Sequence, residues 1–150
     1  MFAACPISRE TRNEHVARAV AALVVIVVAG AVASGRPAPW ILLALAADFI
    51  VRGYYSPRMS PLAAIGRAIT RGLGLAPKPV DAAPKKFAAR IGVVFSVASA
   101  LLYLVGAPVA GLAVVGVLVV CATLEATLGY CVGCKVYALL PRSIAIVLAR

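Results

Sequence analysis

Four stretches of the chain are almost free of charge, and their lengths predict its architecture. His15 to Ser34 carries no charge after Arg18, and at a rise of 1.5 Å per residue about 20 such residues cross a hydrocarbon layer of ~30 Å. Phe87 to Val105 and Pro108 to Tyr130 are runs of the same kind. Pro39 to about Tyr55 is the shortest run. It opens with proline at a favourable first helical position and carries Trp40 at one interface and Tyr54 and Tyr55 at the other. Gly35 to Pro39 and Gly106-Ala107 read as tight turns, because proline restricts both itself and its predecessor and two residues force an antiparallel return. The expected fold is an all-α membrane protein, with four transmembrane helices forming two antiparallel hairpins and a basic interfacial segment between them.

The segment Ser56 to Lys86 breaks the pattern, with prolines at 57, 61, 77, 79 and 84. Within it Leu62, Ile65, Ile69 and Leu73 recur at helical spacing while Arg67 and Arg71 fall on another face, which predicts a basic helix lying in the headgroup layer. The organisation is therefore 1–14 as an N-terminal segment with Cys5, 15–55 as the first hairpin, 56–86 as the basic loop, 87–130 as the second hairpin, and 131–150 as a CxxC and tail. Met1 to Glu14 holds three acid or amide groups, two arginines and a proline ahead of any apolar run, so no cleavable leader is expected. Small residues four apart, such as Gly30 and Ser34, Ser96 and Ala100, or Ala107 and Gly111, allow helices to approach closely. The two halves share a faint likeness, each opening on Ala-Arg and closing on Gly and Pro, as a duplicated hairpin would.

Composition fits this picture: 63% of the 150 residues are hydrophobic and only 13% charged, against roughly a quarter charged in soluble domains. The net charge of +10 lacks the aromatic interleaving of a nucleic-acid binder and points to anionic lipid at the basic loop. Fourteen of the fifteen Lys and Arg fall on one side of the expected topology, which places both termini and the long loop in the cytoplasm of a bacterial inner-membrane protein.

Chemistry concentrates in a few residues. Cys131 and Cys134 form a CxxC just past the fourth helix, flanked by Gly129 and Gly133, and sidedness brings Cys5 to the same face. A cytoplasmic position argues against a structural disulfide, and Lys135 with the basic loop would favour thiolate. Cys121 reads as a buried packing residue. Asp48 and Glu125 lie within spans, where a carboxylate is expensive and needs a reason. Asp48 has Arg52 at i+4 in the favourable order for an ion pair. Glu125 has no local partner and is expected to pair with Arg18 or Arg90, or to move protons near the thiols. Cys5, His15, Cys131 and Cys134 are an alternative tetrahedral zinc set, although one CxxC does not complete the spacing signature.

Several motifs together carry a resemblance. Cys5-Pro6 before NEHVAR, Asp48-Phe49-Ile50-Val51-Arg52, Ser60-Pro61-Leu62, Pro84-Lys85-Lys86-Phe87-Ala88, Leu124-Glu125 and the terminal CxGCxxY at Cys131 to Tyr137 are similar to the bacterial membrane family called domain of unknown function 4395, over nearly the whole chain. That family brings no assigned activity. Association of some members with thioredoxin-like or rhodanese-like proteins implies thiol or sulfane-sulfur chemistry. The expected function is membrane-embedded thiol-redox or persulfide handling by Cys131 and Cys134, with Cys5, and a thioredoxin-like or rhodanese-like partner. Two alternatives stand beside it: a non-catalytic scaffold or subunit with a structural or zinc-binding cysteine cluster, and an oligomeric transporter of a small sulfur species or anion using Glu125 and Asp48. No cofactor is specified. A quinone would supply the electron exit that the cysteine-free outer turns lack, but no motif encodes one.

Overall fold

A computed structural model describes residues 10–35 and 38–141, which form six helices and one two-stranded ladder. Cys5, Arg36, Pro37 and the tail from 142 onward lie outside the described residues. Helices α1 (Glu14–Ser34), α4 (Ala82–Leu104) and α5 (Pro108–Leu128) are long and apolar enough to cross a membrane. Helix α2 (Ala38–Tyr54) has 17 residues, at the lower limit for a crossing. The chain is an all-α membrane protein. Its long helices are apolar on the outside as well as the inside, with Ile26, Val94, Val109 and Val120 at least 60% exposed, as a surface bathed in lipid requires.

The four long helices close a ring, α1 and α4 each packing on both α2 and α5. Val24, Val28, Leu42, Leu45 and Val115 fill its centre. The most extensive interface joins α2 to α4, across the two expected hairpins rather than within either. Gly92 makes it possible, since a Cβ there would stand 2.6 Å from the Phe49 ring. Of the small-residue pairs, Ser96 and Ala100 are fully buried and Gly111 lies against Tyr103 and Ser99, whereas Gly30 faces open space.

The basic end is more structured than the sequence suggests. Helix α4 begins at Ala82, not Phe87: Asp81 caps it by accepting the Ala83 N–H at 3.0 Å, and Pro84 sits in the first turn, where its missing N–H costs nothing. Residues 82–86, expected in the loop, are therefore helical and carry Lys85 and Lys86. Ahead of them β2 (Pro79–Asp81) pairs antiparallel with β1 (Thr11–Asn13), Thr11 opposite Asp81 and Asn13 opposite Pro79. The Glu14 N–H to Lys78 carbonyl bond (2.9 Å) and the Ala82 N–H to Glu10 carbonyl bond (3.1 Å) extend this ladder and tie the starts of α1 and α4 together. Strands of three residues are too short for alternation to reveal.

Helix α3 (Pro61–Gly72) docks on α1 through a stripe of small residues, Ala63, Gly66 and Thr70. A Cβ on Gly66 would come within 2.9 Å of Val20. Of the apolar stripe read from the sequence, Leu62 packs on the core, while Ile65, Ile69 and Leu73 remain exposed.

Candidate functional site: a dithiol beside a buried ion pair

The site begins where α5 ends. Gly129 takes the left-handed conformation (φ 67°), which a side chain would strain, and the Tyr130 N–H reaches back to the Leu124 carbonyl at 3.2 Å. This sharp stop turns the chain into α6 (Val132–Leu139), with Cys131 as its N-cap and Cys134 in its first turn. Gly129 therefore ends one helix, and Gly133 lets the next approach α4. A Cβ on Gly133 would fall 2.7 Å from that of Ala88. Tyr137 completes the docking, its buried ring 5.5 Å from that of Phe87.

Both cysteines are free thiols, Cys131 buried and Cys134 partly exposed. The Cys134 S–H donates to Cys131, which holds the Cys131 thiol below its ordinary range against the opposing effects of burial and of the Glu125 carboxylate, the latter partly offset by the Lys85 ammonium. The same bond, followed by burial, pushes Cys134 up. The two sulfurs thus sit in different surroundings, Cys131 buried at the N-cap of α6 and Cys134 partly exposed in its first turn, and the hydrogen bond between them favours thiolate at Cys131.

Glu125 pairs with Lys85, not with Arg18 or Arg90. The expected arginines are committed elsewhere. Arg18 donates to the carbonyls of Ala126 (3.2 Å) and Thr127 (2.7 Å) at the end of α5. Arg90 donates to the Gly53 carbonyl (3.3 Å) at the end of α2 and lies over the Tyr54 ring. Orphan carbonyls at a helix C-terminus attract cations through both hydrogen bonding and the macrodipole. Once α4 starts at Ala82, Lys85 is the cation that faces Glu125. Lys85 also takes the electrostatic role expected of Lys135, whose ammonium is 5.5 Å from the Tyr130 ring centre. The available sequence signal for Lys85 was Asp81 followed by Pro84, a helix-start pattern.

Asp48 is held differently. Its carboxylate pairs with Arg52 Nε at 2.7 Å, accepts the Ser60 hydroxyl at 2.6 Å and accepts the Leu62 N–H at 3.3 Å. Ser60 in turn caps α3 by accepting the Ala63 N–H. This is a structural clasp joining α2 to α3. The His15 backbone N–H donates to Asn13 Oδ1. Among the described residues no three His, Cys, Asp or Glu side chains gather as metal ligands, and Cys5, the remaining member of the alternative zinc set, lies outside them.

Two cavities meet at the dithiol. One, of about 520 Å3, runs between the helices and is walled mainly by apolar side chains, with Cys121, Glu125, Lys85 and Cys131 among its lining. The other, of about 390 Å3, is a more open cleft bordered by Glu14, Asp81, Tyr130, Cys134 and Lys135. Cys131 and Lys85 line both, Cys134 only the open cleft, and Asp48 neither.

The family described as domain of unknown function (DUF4395) matches residues 13–142. The chain belongs to that family. The match takes in the four long helices, the basic loop and the CxxC of this DUF4395 protein, and leaves out Cys5. No curated protein and no solved structure matches the chain.

Proposed function

We propose that this DUF4395 protein handles thiol redox or sulfane sulfur at a membrane surface, with Cys131 and Cys134 as the reacting pair. The supporting observation is the placement of that dithiol: Cys131 caps α6 beside Lys85 and borders both cavities, and Cys134, in the first turn, borders only the open cleft. In this reading α2 is a fourth span, the helices form two hairpins, and the positive residues keep both termini and the dithiol on the cytoplasmic side of a bacterial inner membrane. The basic loop meets anionic lipid, with Ile65, Ile69 and Leu73 of α3 in the headgroup layer. The partner is a cytoplasmic thioredoxin-like or rhodanese-like protein.

The exchange follows from which sulfur is accessible. A partner thiolate attacks Cys134 of the Cys131–Cys134 disulfide and expels Cys131. The partner's second thiolate then displaces Cys134, leaving a dithiol on this protein and a disulfide on the partner. Differential alkylation of membranes from reducing and oxidising cultures tests this: both cysteines should change state together, and in oxidising cultures Cys131→Ser should accumulate a mixed disulfide, formed in the reverse direction when Cys134 thiolate opens the partner's disulfide and no Cys131 is present to resolve it. Cysteines that never change state, with Ser variants behaving as wild type, would refute the reading, as would labelling of either thiol by an impermeant reagent on intact cells for its sidedness.

A further inference from the structure

The dithiol needs an electron exit, and the larger cavity suggests its form. Oxidising Cys131 and Cys134 to a disulfide releases two electrons and two protons. The chain has four cysteines, and neither turn at the far end of the bundle, Gly35 to Pro39 or Val105 to Ala107, contains one. A relay through a second dithiol across the membrane is therefore absent from the sequence.

At the dithiol, however, is a space of about 520 Å3, within the range of small-molecule sites. Val24, Phe95 and Leu118 are among its walls, and all three belong to helices that can cross a membrane. Its charged lining is mostly cationic: Arg12, Arg52, Arg58, Arg67 and Lys85 border it with Glu125 and Cys131, and the buried Arg52 Nη2 has no hydrogen-bond acceptor among the described residues. A fitting occupant is apolar over most of its surface, carries oxygens that accept hydrogen bonds from these cations, and, to reoxidise the dithiol, takes up two electrons with two protons. A lipid-soluble quinone meets these requirements.

We propose that the cavity binds a quinone that reoxidises the Cys131–Cys134 dithiol, a step that rests on the thiol reading above and gives it an electron acceptor. Cys131 thiolate adds to the quinone ring, forming an S–C bond. Cys134 thiolate then attacks the Cys131 sulfur, forming the S–S bond and breaking the S–C bond, whose electron pair stays on the ring. The ring takes up two protons, equal in number to those lost by the thiols, and departs as quinol, so one disulfide forms per quinol. Lys85 and Glu125 lie where such protons pass, and Arg52 supplies a donor for a quinone carbonyl.

The test uses the full chain, purified in nanodiscs and reduced, mixed with decyl-ubiquinone. Loss of quinone absorbance should match formation of the Cys131–Cys134 disulfide one to one. Leu118→Trp, which fills the cavity away from the sulfurs, should slow this reaction at least tenfold while exchange with oxidised glutathione keeps its wild-type rate. Should that variant not fold, an azido-quinone photolabel on the wild-type protein should attach to peptides containing Val24, Phe95 or Leu118. A dithiol that exchanges with glutathione but ignores decyl-ubiquinone overturns the quinone proposal and leaves the thiol reading standing. Failure with both reagents removes the thiol reading as well. Equal rates with a sulfonated, tail-less quinone, or a cavity occupied by co-purifying lipid that decyl-ubiquinone does not displace, also overturn the proposal.

Discussion

Asp48 and Glu125 are both carboxylates on apolar helices near the same end of the bundle, and the structure uses them in opposite ways. Asp48 is held by an arginine four residues away, a serine hydroxyl and a backbone N–H, and it lines neither cavity. Glu125 pairs with Lys85 from another helix, and the pair borders a cavity that Cys131 also lines. A charge enclosed by hydrogen bonds holds the fold together. A paired charge beside a thiol can shift that thiol's titration, so at one end of the bundle the two carboxylates divide between holding helices together and facing the dithiol.

The sharpest way to break the comparison is Asp48→Ala. It leaves Arg52 buried without its carboxylate and two donors without an acceptor, at a cost of about 3 to 5 kcal/mol. Thermal unfolding in detergent should fall accordingly, and protease should cut between α2 and α3, while Cys131 alkylation stays at its wild-type rate. A variant as stable as wild type would show that the clasp is ornamental.

Lys85→Met should cost about 2 to 3 kcal/mol by stranding Glu125, and Lys85→Met with Glu125→Gln should recover most of it in the same unfolding assay. Unlike Asp48→Ala, the single variant should also move the pH midpoint of Cys131 alkylation upward, because a cation that favours thiolate is gone. Glu125→Gln alone should move that midpoint downward. Shifts of the same sign in both variants would contradict the electrostatic assignment.

Cys134→Ala removes the S–H that donates to Cys131. Thiolate fraction rises with pH, so a depressed thiol reacts at lower pH than usual, and loss of the donor should carry the alkylation midpoint of Cys131 up toward the ordinary thiol value of about 8.5. A midpoint that falls or stays fixed would separate the reactivity of Cys131 from its neighbour. The smallest expected effect is that of Gly129→Ala, about 1 kcal/mol for holding a side chain at positive φ. It should appear as a modest drop in unfolding temperature, with Cys131 less protected from alkylation as the start of α6 loosens; no change in either would make the left-handed cap dispensable.

Local relations were legible from the sequence and distant ones were not. Asp48 and Arg52 lie one helical turn apart, so their pairing follows from the helix itself. The Lys85–Glu125 pair spans 40 residues, and a sequence reading that leaves Lys85 in a loop has no reason to choose it over Arg18 or Arg90. Those arginines satisfy helix-end carbonyls instead, a use of positive charge that counting Lys and Arg by segment does not register. The exposed stripe on α3 shows the same limit. Its periodicity was plain, but that Ala63, Gly66 and Thr70 would be the face docked on α1 depended on Val20 lying opposite.

The sequence by itself determined the all-α membrane character, the three helices long and apolar enough to cross a membrane, the family and the presence of a CxxC just past α5. It does so because long apolar runs, prolines and glycines act through the chain's own backbone and through transfer to lipid, which need no partner. Tertiary structure alone decided which cation faces Glu125, that α4 starts early enough to present it, that α6 docks on Ala88 through Gly133, and that the two sulfurs border different cavities. Each of these is a meeting of side chains far apart in sequence, fixed by packing of the whole ring.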